Sequence, residues 1–171
     1  MELRQYAALS AVEMARLVRE GEVSPVELVR SSLDAIEETE ARVNAYSAVF
    51  AEDAKARAAE LEKEARAGSF RGPLHGVPVG IKDLFLVEGY KTQRGSRLYV
   101  DSVATETAPS VERLLAAGAV MVGKTTTPEL GWKATSNSPL YGVTRNPWDV
   151  SRTAGGSSSG SAVAVADARC R

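Results

Sequence analysis

The sequence has 171 residues and a mass of 18.2 kDa, enough for one domain with its own hydrophobic core and at most two small ones. With 44% hydrophobic and 25% charged residues, the composition is that of a globular protein and excludes wholesale disorder and collagen-like repeats. The net charge of -1 gives no electrostatic reason to expect a nucleic-acid partner, and no apolar run approaches the roughly 18 residues that a transmembrane helix needs.

The charge is distributed unevenly along the chain. Residues 1–70 carry 14 acidic and 9 basic side chains, a net of -5, whereas residues 71–171 carry 8 and 12, a net of +4. We interpret this difference as a solvated helical region followed by a loop-rich α/β region. The single cysteine, Cys170, excludes an intramolecular disulfide and cysteine-based zinc sites, and residues 1–4 lead into no signal-peptide core. We therefore expect a cytoplasmic protein without a metal site.

Residues 1–70 contain the signals of three helices. Ser10 with Glu13 and Ser24 with Glu27 form two predicted capping boxes, and Pro25 occupies a favourable first helical position. The second helix is expected to run to about residue 40, because its apolar side chains recur at spacings of three and four. A short strand over 46–50 and a helix over 52–67 follow.

Residues 71–171 have the pattern of an α/β region. An apolar strand is predicted to end at Lys82, a helix to span 109–117 and a second strand to span 119–122. This order predicts a βαβ unit and a sheet that is at least partly parallel. Residues 125–161 are rich in Thr, Ser, Gly, Asn and Pro, and irregular segments of that length are more often functional than accidental.

Two glycine-containing motifs suggest ligand or catalytic chemistry. Residues 118–125 (GAVMVGKT) match the letters of a phosphate-binding loop, but the intermediate positions are apolar and no helix follows, so we disfavour a nucleotide-binding module. Residues 155–161 (GGSSSGS) lead into the apolar segment 162–166, which predicts a buried helix. A Gly–Ser turn at a helix start suits an anion or an oxyanion, and composition alone does not separate anion binding from nucleophilic chemistry.

Lys82 and His75 are the two candidate bases in this region. A lysine at a strand end is usually a salt-bridged edge residue, but a desolvated lysine has a lowered pKa and can serve as the base of a Ser–Lys hydrolase. His75, the only histidine, lies in a Gly- and Pro-rich turn without a recognisable partner. We interpret His75 as structural.

Taken together, residues 76–83 (GVPVGIKD), 123–125 (GKT), 141–149 (YGVTRNPWD) and 155–162 (GGSSSGSA) resemble the amidase signature family in order and spacing. The resemblance implies an α/β fold with a mixed sheet covered by helices. It also implies that residues 1–171 are the N-terminal portion of a single amidase domain, helical over 1–70 and α/β over 71–171, truncated before the sheet is complete. No cofactor is implied.

The resemblance further implies a Ser-cisSer-Lys mechanism that hydrolyses a small-molecule carboxamide. Lys82 would be the base, Ser157 would relay the proton, and the Gly156–Ser157 peptide bond would be cis. Ser158 would support Lys82, and Gly131 would offer its backbone carbonyl to the substrate. Ser159 stands where many members have a second glycine.

The family places its nucleophilic serine and oxyanion hole about two dozen residues beyond the relay serine, whereas 14 residues follow Ser157. We therefore expect residues 1–171 alone to be an inactive fragment, with sheet edges that favour self-association. One component of a glutamine-dependent amidotransferase is the alternative within the resemblance.

Overall fold

The computed structural model describes residues 8–167. The predictions that concern residues 1–4 and Cys170 lie outside this range. The helices are α1 (Ala11–Glu20), α2 (Pro25–Val43), α3 (Ala51–Arg66), α4 (Pro109–Ala116) and α5 (Ser159–Ala166). The strands are β1 (Tyr46–Val49), β2 (Pro78–Lys82), β3 (Val120–Thr125), β4 (Asn137–Ser138) and β5 (Gly142–Val143).

Both predicted capping boxes start a helix. The Ser10 hydroxyl accepts from the Glu13 backbone N–H at 3.2 Å, while the Glu13 carboxylate accepts from the Ser10 N–H at 2.8 Å. The same reciprocal pair joins Ser24 and Glu27 at the start of α2. Helix α2 ends at Val43, beyond the predicted residue 40.

The main sheet has the strand order β1-β3-β2, with β2 parallel and β1 antiparallel to β3. The predicted parallel βαβ unit is therefore confirmed as β2-α4-β3. In register, Lys82 lies beside Thr125. Strand β3 extends to Thr125, three residues beyond the predicted end, because residues 123–125 continue to pair with both neighbouring strands.

Helices cover the sheet on two sides. Val120 and Val122 of β3 belong to a core cluster with residues of α2, α3 and α5. Val79 and Ile81 of β2 belong to a second cluster with Val111 of α4. The carboxyl ends of β2 and β3 consequently lie side by side at one end of a supported sheet.

The irregular segment after β3 is held to the body of the protein by hydrogen bonds. It contains the short antiparallel pair β4–β5, which sequence periodicity did not predict. The Asn44 side chain, at the end of α2, donates to the carbonyl of Tyr141 at 2.7 Å, and the Arg145 N–H donates to the carbonyl of Val43 at 2.8 Å. These contacts fix the segment that precedes the Gly–Ser loop.

Helix α5 forms where a buried helix was predicted, but it is buried on one side only. Val163 and Ala164 are buried in the core, whereas Val165 is 48% exposed. Within residues 8–167, no helix combines the length and the apolar character needed to cross a membrane.

Candidate active site

The structure brings Lys82 together with the Gly–Ser loop, 75 residues further along the chain. Lys82 is the last residue of β2, and its Nζ lies 2.7 Å from Ser157 Oγ and 3.1 Å from Ser158 Oγ. The parallel pairing of β2 with β3 aims Lys82 at this loop. Both predicted serines therefore contact the predicted base.

The environment of Lys82 weakens its hold on a proton. Burial lowers the pKa of Lys82 below its ordinary value, because a partly desolvated ammonium loses hydration. No ion pair within residues 8–167 involves Lys82. Its partners are hydroxyl groups, which can exchange protons with an amine.

The backbone of the Gly–Ser loop is specified by glycine. The Gly156–Ser157 peptide bond is cis, as the family resemblance implies, and Gly155 has a left-handed φ of 77°. A Cβ on Gly156 would lie 2.8 Å from the carbonyl oxygen of Lys133 and 2.9 Å from that of Thr135. Only a residue without a side chain fits this approach, so the loop packs directly on residues 133–135.

The first turn of α5 is packed equally closely. A Cβ on Gly160 would lie 2.2 Å from the Ala45 carbonyl oxygen and 2.4 Å from the Thr126 nitrogen. Ser159 is 1% exposed, and its hydroxyl has no hydrogen-bond partner in the part of the chain that the structure describes. Helix α5 begins at Ser159, so its N-terminus, the positive end of the helix dipole, directly follows the two serines that contact Lys82.

Gly131 lies in the short helical turn Glu129–Gly131, with a left-handed φ of 68°. A Cβ at this position would lie 2.5 Å from Leu84 Cδ1. The turn precedes Lys133, whose carbonyl packs against Gly156. Gly131 therefore lies two residues from a direct contact with the Gly–Ser loop. The contact between its carbonyl and a substrate stays a prediction.

Residues 118–125, disfavoured by their sequence as a phosphate loop, do not form one, because the apolar positions belong to strand β3 instead of an anion-binding turn. Lys124 is 1% exposed, and its Nζ donates to the Phe85 carbonyl at 2.7 Å and to Thr92 Oγ1 at 3.0 Å. The same Nζ lies 3.3 Å from Asp83 Oδ1. Burial lowers the pKa of Lys124 and the Asp83 carboxylate opposes that shift. Lys124 is thus a buried structural partner of Asp83 instead of a phosphate ligand.

Asp83, which the sequence reasoning did not single out, organises the loop behind Lys82. Its Oδ2 accepts from the backbone N–H groups of Gln93 at 3.1 Å and Arg94 at 2.9 Å, and from the hydroxyl of Tyr141. Burial and the Asp83 carboxylate raise the pKa of Tyr141. The position of Asp83 directly after Lys82, within the motif GVPVGIKD, was the available signal.

His75 has the structural role that the sequence suggested. It is 2% exposed, and its Nδ1 accepts from the Arg71 N–H at 3.1 Å. Its Nε2 lies 2.9 Å from the Leu61 carbonyl, so this nitrogen carries the proton and donates. Both ring nitrogens are engaged away from Lys82. Over residues 8–167, no group of three or more His, Cys, Asp or Glu side chains is placed to hold a metal ion.

Comparison with known proteins identifies the family. A sequence model of the Amidase family matches residues 27–170. The chain belongs to the amidase family. It is 42% identical over 158 residues to an acylamidase of Rhodococcus erythropolis, a match that covers 92% of this chain and 33% of the relative. It is 43% identical over 159 residues to a glutamyl-tRNA(Gln) amidotransferase subunit from Symbiobacterium thermophilum, covering 92% of this chain and 33% of that protein.

Solved structures of the amidase family share the fold. The crystal structure of an amidase superposes with a TM-score of 0.88 at 38% identity, over 95% of this chain and 37% of its own. A fatty acid amide hydrolase superposes with a TM-score of 0.94 at 25% identity, over 99% of this chain and 30% of its own. The chain spans about a third of the length of these amidase-family proteins.

Proposed function

We propose that Lys82 and Ser157 are the general base and the proton relay of an amidase site that hydrolyses the carbon–nitrogen bond of small carboxamides. The observation that carries this proposal is the 2.7 Å contact between Lys82 Nζ and Ser157 Oγ. An amine whose pKa is lowered by burial is a better proton acceptor at neutral pH than an ordinary lysine. A serine hydroxyl needs such an acceptor nearby before it can transfer a proton.

In this mechanism, neutral Lys82 takes the proton of Ser157 Oγ while Ser157 takes the proton of the attacking hydroxyl. The attacking serine is one that the amidase signature resemblance places beyond residue 171. Ser158 Oγ, 3.1 Å from Lys82 Nζ, helps to hold the amine in line with Ser157. When the amide nitrogen leaves, the proton returns through Ser157, so Lys82 regains its starting state.

Three further parts of the proposal concern the protein as a whole. We infer that residues 1–171 form the N-terminal portion of one amidase domain, which fits the coverage of about a third of the relatives. We also infer a cytoplasmic location, supported by the single cysteine. Self-association is supported by β2, which pairs with β3 alone in the described part of the chain.

A domain graft tests the catalytic assignment. Residues of this chain would replace the 158 matched residues of the Rhodococcus erythropolis acylamidase, and amine release from acylated amines would be measured. We expect the graft to hydrolyse amides and its Lys82→Met and Ser157→Ala variants to lose at least about 10³-fold in kcat. Lys91→Met, at an exposed lysine paired with Asp101, is the matched control. Retained activity in Lys82→Met would contradict the proposal.

The 171-residue chain by itself should release no ammonia or amine above background from a panel of primary amides. The reason is that the proposed mechanism takes its attacking hydroxyl from a serine beyond residue 171. A burst or sustained turnover by the isolated chain would overturn this expectation.

A role in an amidotransferase is a second candidate, favoured by the 43% identity to a subunit of that name. The same graft, made in the Symbiobacterium thermophilum protein together with its partner subunits, distinguishes the two. Glutamine-dependent amide transfer by that graft, with no activity in the acylamidase graft, would favour the amidotransferase. The reverse result would favour the hydrolase.

A further inference from the structure

Three consecutive threonines at the end of β3, Thr125, Thr126 and Thr127, hydrogen-bond to the Gly–Ser loop and the start of α5. All three are at most 1% exposed. Most buried hydroxyls are hydrogen-bonded, and the partners of these three side chains show what each of them holds in place.

The first threonine holds the start of α5. Thr125 lies beside Lys82 in the parallel register, and its Oγ1 is 2.7 Å from Ser161 Oγ. Lys82 of β2 and Thr125 of β3 therefore contact the same loop and helix start from neighbouring strands.

The third threonine holds the residue that contacts the amine. Thr127 Oγ1 donates to the backbone carbonyl of Ser157 at 3.1 Å. Ser157 is thus fixed at two points, its carbonyl on Thr127 and its hydroxyl on Lys82. Gly156 and Gly160 pack closely on either side of Ser157, so the Thr127 hydrogen bond is the side-chain contact that holds the Ser157 carbonyl itself. Releasing this carbonyl would let the Ser157 peptide group rotate and change the position of its hydroxyl relative to Lys82.

The side chain of the middle threonine packs beside Gly160 but makes its hydrogen bonds elsewhere. Thr126 Oγ1 lies 2.6 Å from Thr144 Oγ1 and 3.5 Å from the Asn44 carbonyl. Only the backbone of Thr126 hydrogen-bonds to α5, where its carbonyl accepts from the Gly160 N–H at 3.1 Å. Thr126 is as buried as Thr127 and has the same side chain, but its hydroxyl does not bond to the Gly–Ser loop, so it serves as the control for Thr127.

We propose that Thr127 is a positioning residue for the amidase site, which sets the separation of Ser157 Oγ from Lys82 Nζ by holding the Ser157 carbonyl, with Thr125 anchoring the adjacent turn. The inference rests on the proposed function, since positioning matters only if Lys82 and Ser157 exchange a proton. Thr127 itself touches no reacting atom.

The test measures the protonation of Lys82 in the full chain by ¹³Cε–¹⁵Nζ NMR titration, with Lys82→Arg to assign the signal. Thr127→Val removes the hydroxyl and keeps the shape. We expect it to raise the pKa of Lys82 by at least about half a unit toward the ordinary value of ~10.4, because the loosened loop admits water. Thr127→Ser should restore the original titration.

Thr126→Val is the control, expected to lower the melting temperature and leave the Lys82 titration unchanged. If Thr127→Val lowers the melting temperature equally and does not move the Lys82 titration, Thr127 is only structural and the proposal is overturned. Should Thr127→Val fail to fold, Thr127→Ala and Thr127→Ser, which differ by the hydroxyl alone, provide the same comparison, and identical titrations overturn it. Because the readout is independent of turnover, its failure is separate from a failure of the graft.

Discussion

Lys82, the last residue of β2, and Lys124, the last but one of β3, lie near the ends of adjacent parallel strands and illustrate two outcomes for a lysine removed from water. Lys124 is fully buried and has a carboxylate, a carbonyl and a hydroxyl around its ammonium. Lys82 is half-buried and has only serine hydroxyls. Burial lowers the pKa of both lysines, and only at Lys124 does a carboxylate, that of Asp83, act in the opposite direction. The contrast teaches that burial disfavours the charge at both positions, while the partner separates a lysine held in a structural ion pair from a candidate base surrounded by hydroxyls.

The largest expected effect comes from removing the structural cation. Lys124→Met should lower the free energy of unfolding by about 3–5 kcal/mol, because Asp83 is left buried without its countercharge. Urea unfolding at pH 7 measures the loss. Lys91→Met, which removes an exposed pair with Asp101, should cost less than about 1 kcal/mol. Equal losses in the two variants would break the distinction between Lys124 and a surface lysine.

The next effect concerns Asp83, the carboxylate paired with Lys124. Tyr141→Phe removes a hydroxyl that donates to Asp83, and should cost about 1.5–3 kcal/mol in the same assay, the range for a hydrogen bond to a charged group. The matched variant is Tyr90→Phe. In the original chain the Tyr90 hydroxyl donates to the exposed Asp53 at 2.8 Å. We expect the Tyr90 variant to lose less than half as much. A larger loss in Tyr90→Phe would show that the Asp83 network does not carry the stability assigned to it.

Replacing the candidate base, Lys82, should leave the free energy of unfolding almost unchanged or raise it, whereas replacing Lys124 should lower it. Lys82→Met removes an amine that is partly desolvated without a countercharge, so at pH 7 the variant should be as stable as the original or more stable by up to about 1 kcal/mol. The same substitution thus destabilises at Lys124 and not at Lys82. A loss above about 2 kcal/mol at Lys82 would make it a second structural lysine.

The smallest effect is the pH dependence of the difference in unfolding free energy between the original chain and Lys82→Met. Burial lowers the pKa of Lys82 in the folded state, so between this value and the unfolded value of about 10.4 the unfolded chain binds more protons and stability rises with pH. The unfavourable contribution of Lys82 is complete below the folded pKa and disappears above the unfolded pKa. The stability difference between the original chain and Lys82→Met should therefore shrink as the pH rises toward about 10.4. A difference that grows over this range would mean that the folded state raises the pKa of Lys82.

Local sequence signals determined most elements of this fold. The capping boxes at Ser10 and Ser24 and the glycine at residue 21 mark helix ends because capping involves residues within one turn of each other. The order of strand, helix and strand was enough to predict the parallel pairing of β2 with β3. The pairing through Thr125 was harder to see, since residues 123–125 are not apolar and are strand only because two neighbours supply hydrogen bonds.

The candidate site divides in the same way. The sequence by itself identified the amidase family and singled out Lys82, Ser157 and Ser158. This was possible because each glycine-rich turn or family-like motif is a short run of consecutive residues. Tertiary structure alone decided that Lys124 is neutralised by Asp83 and that Thr127 holds the Ser157 carbonyl. Those contacts join residues 30 to 41 positions apart, and a hydrogen bond or a desolvated charge depends on which atoms meet in space.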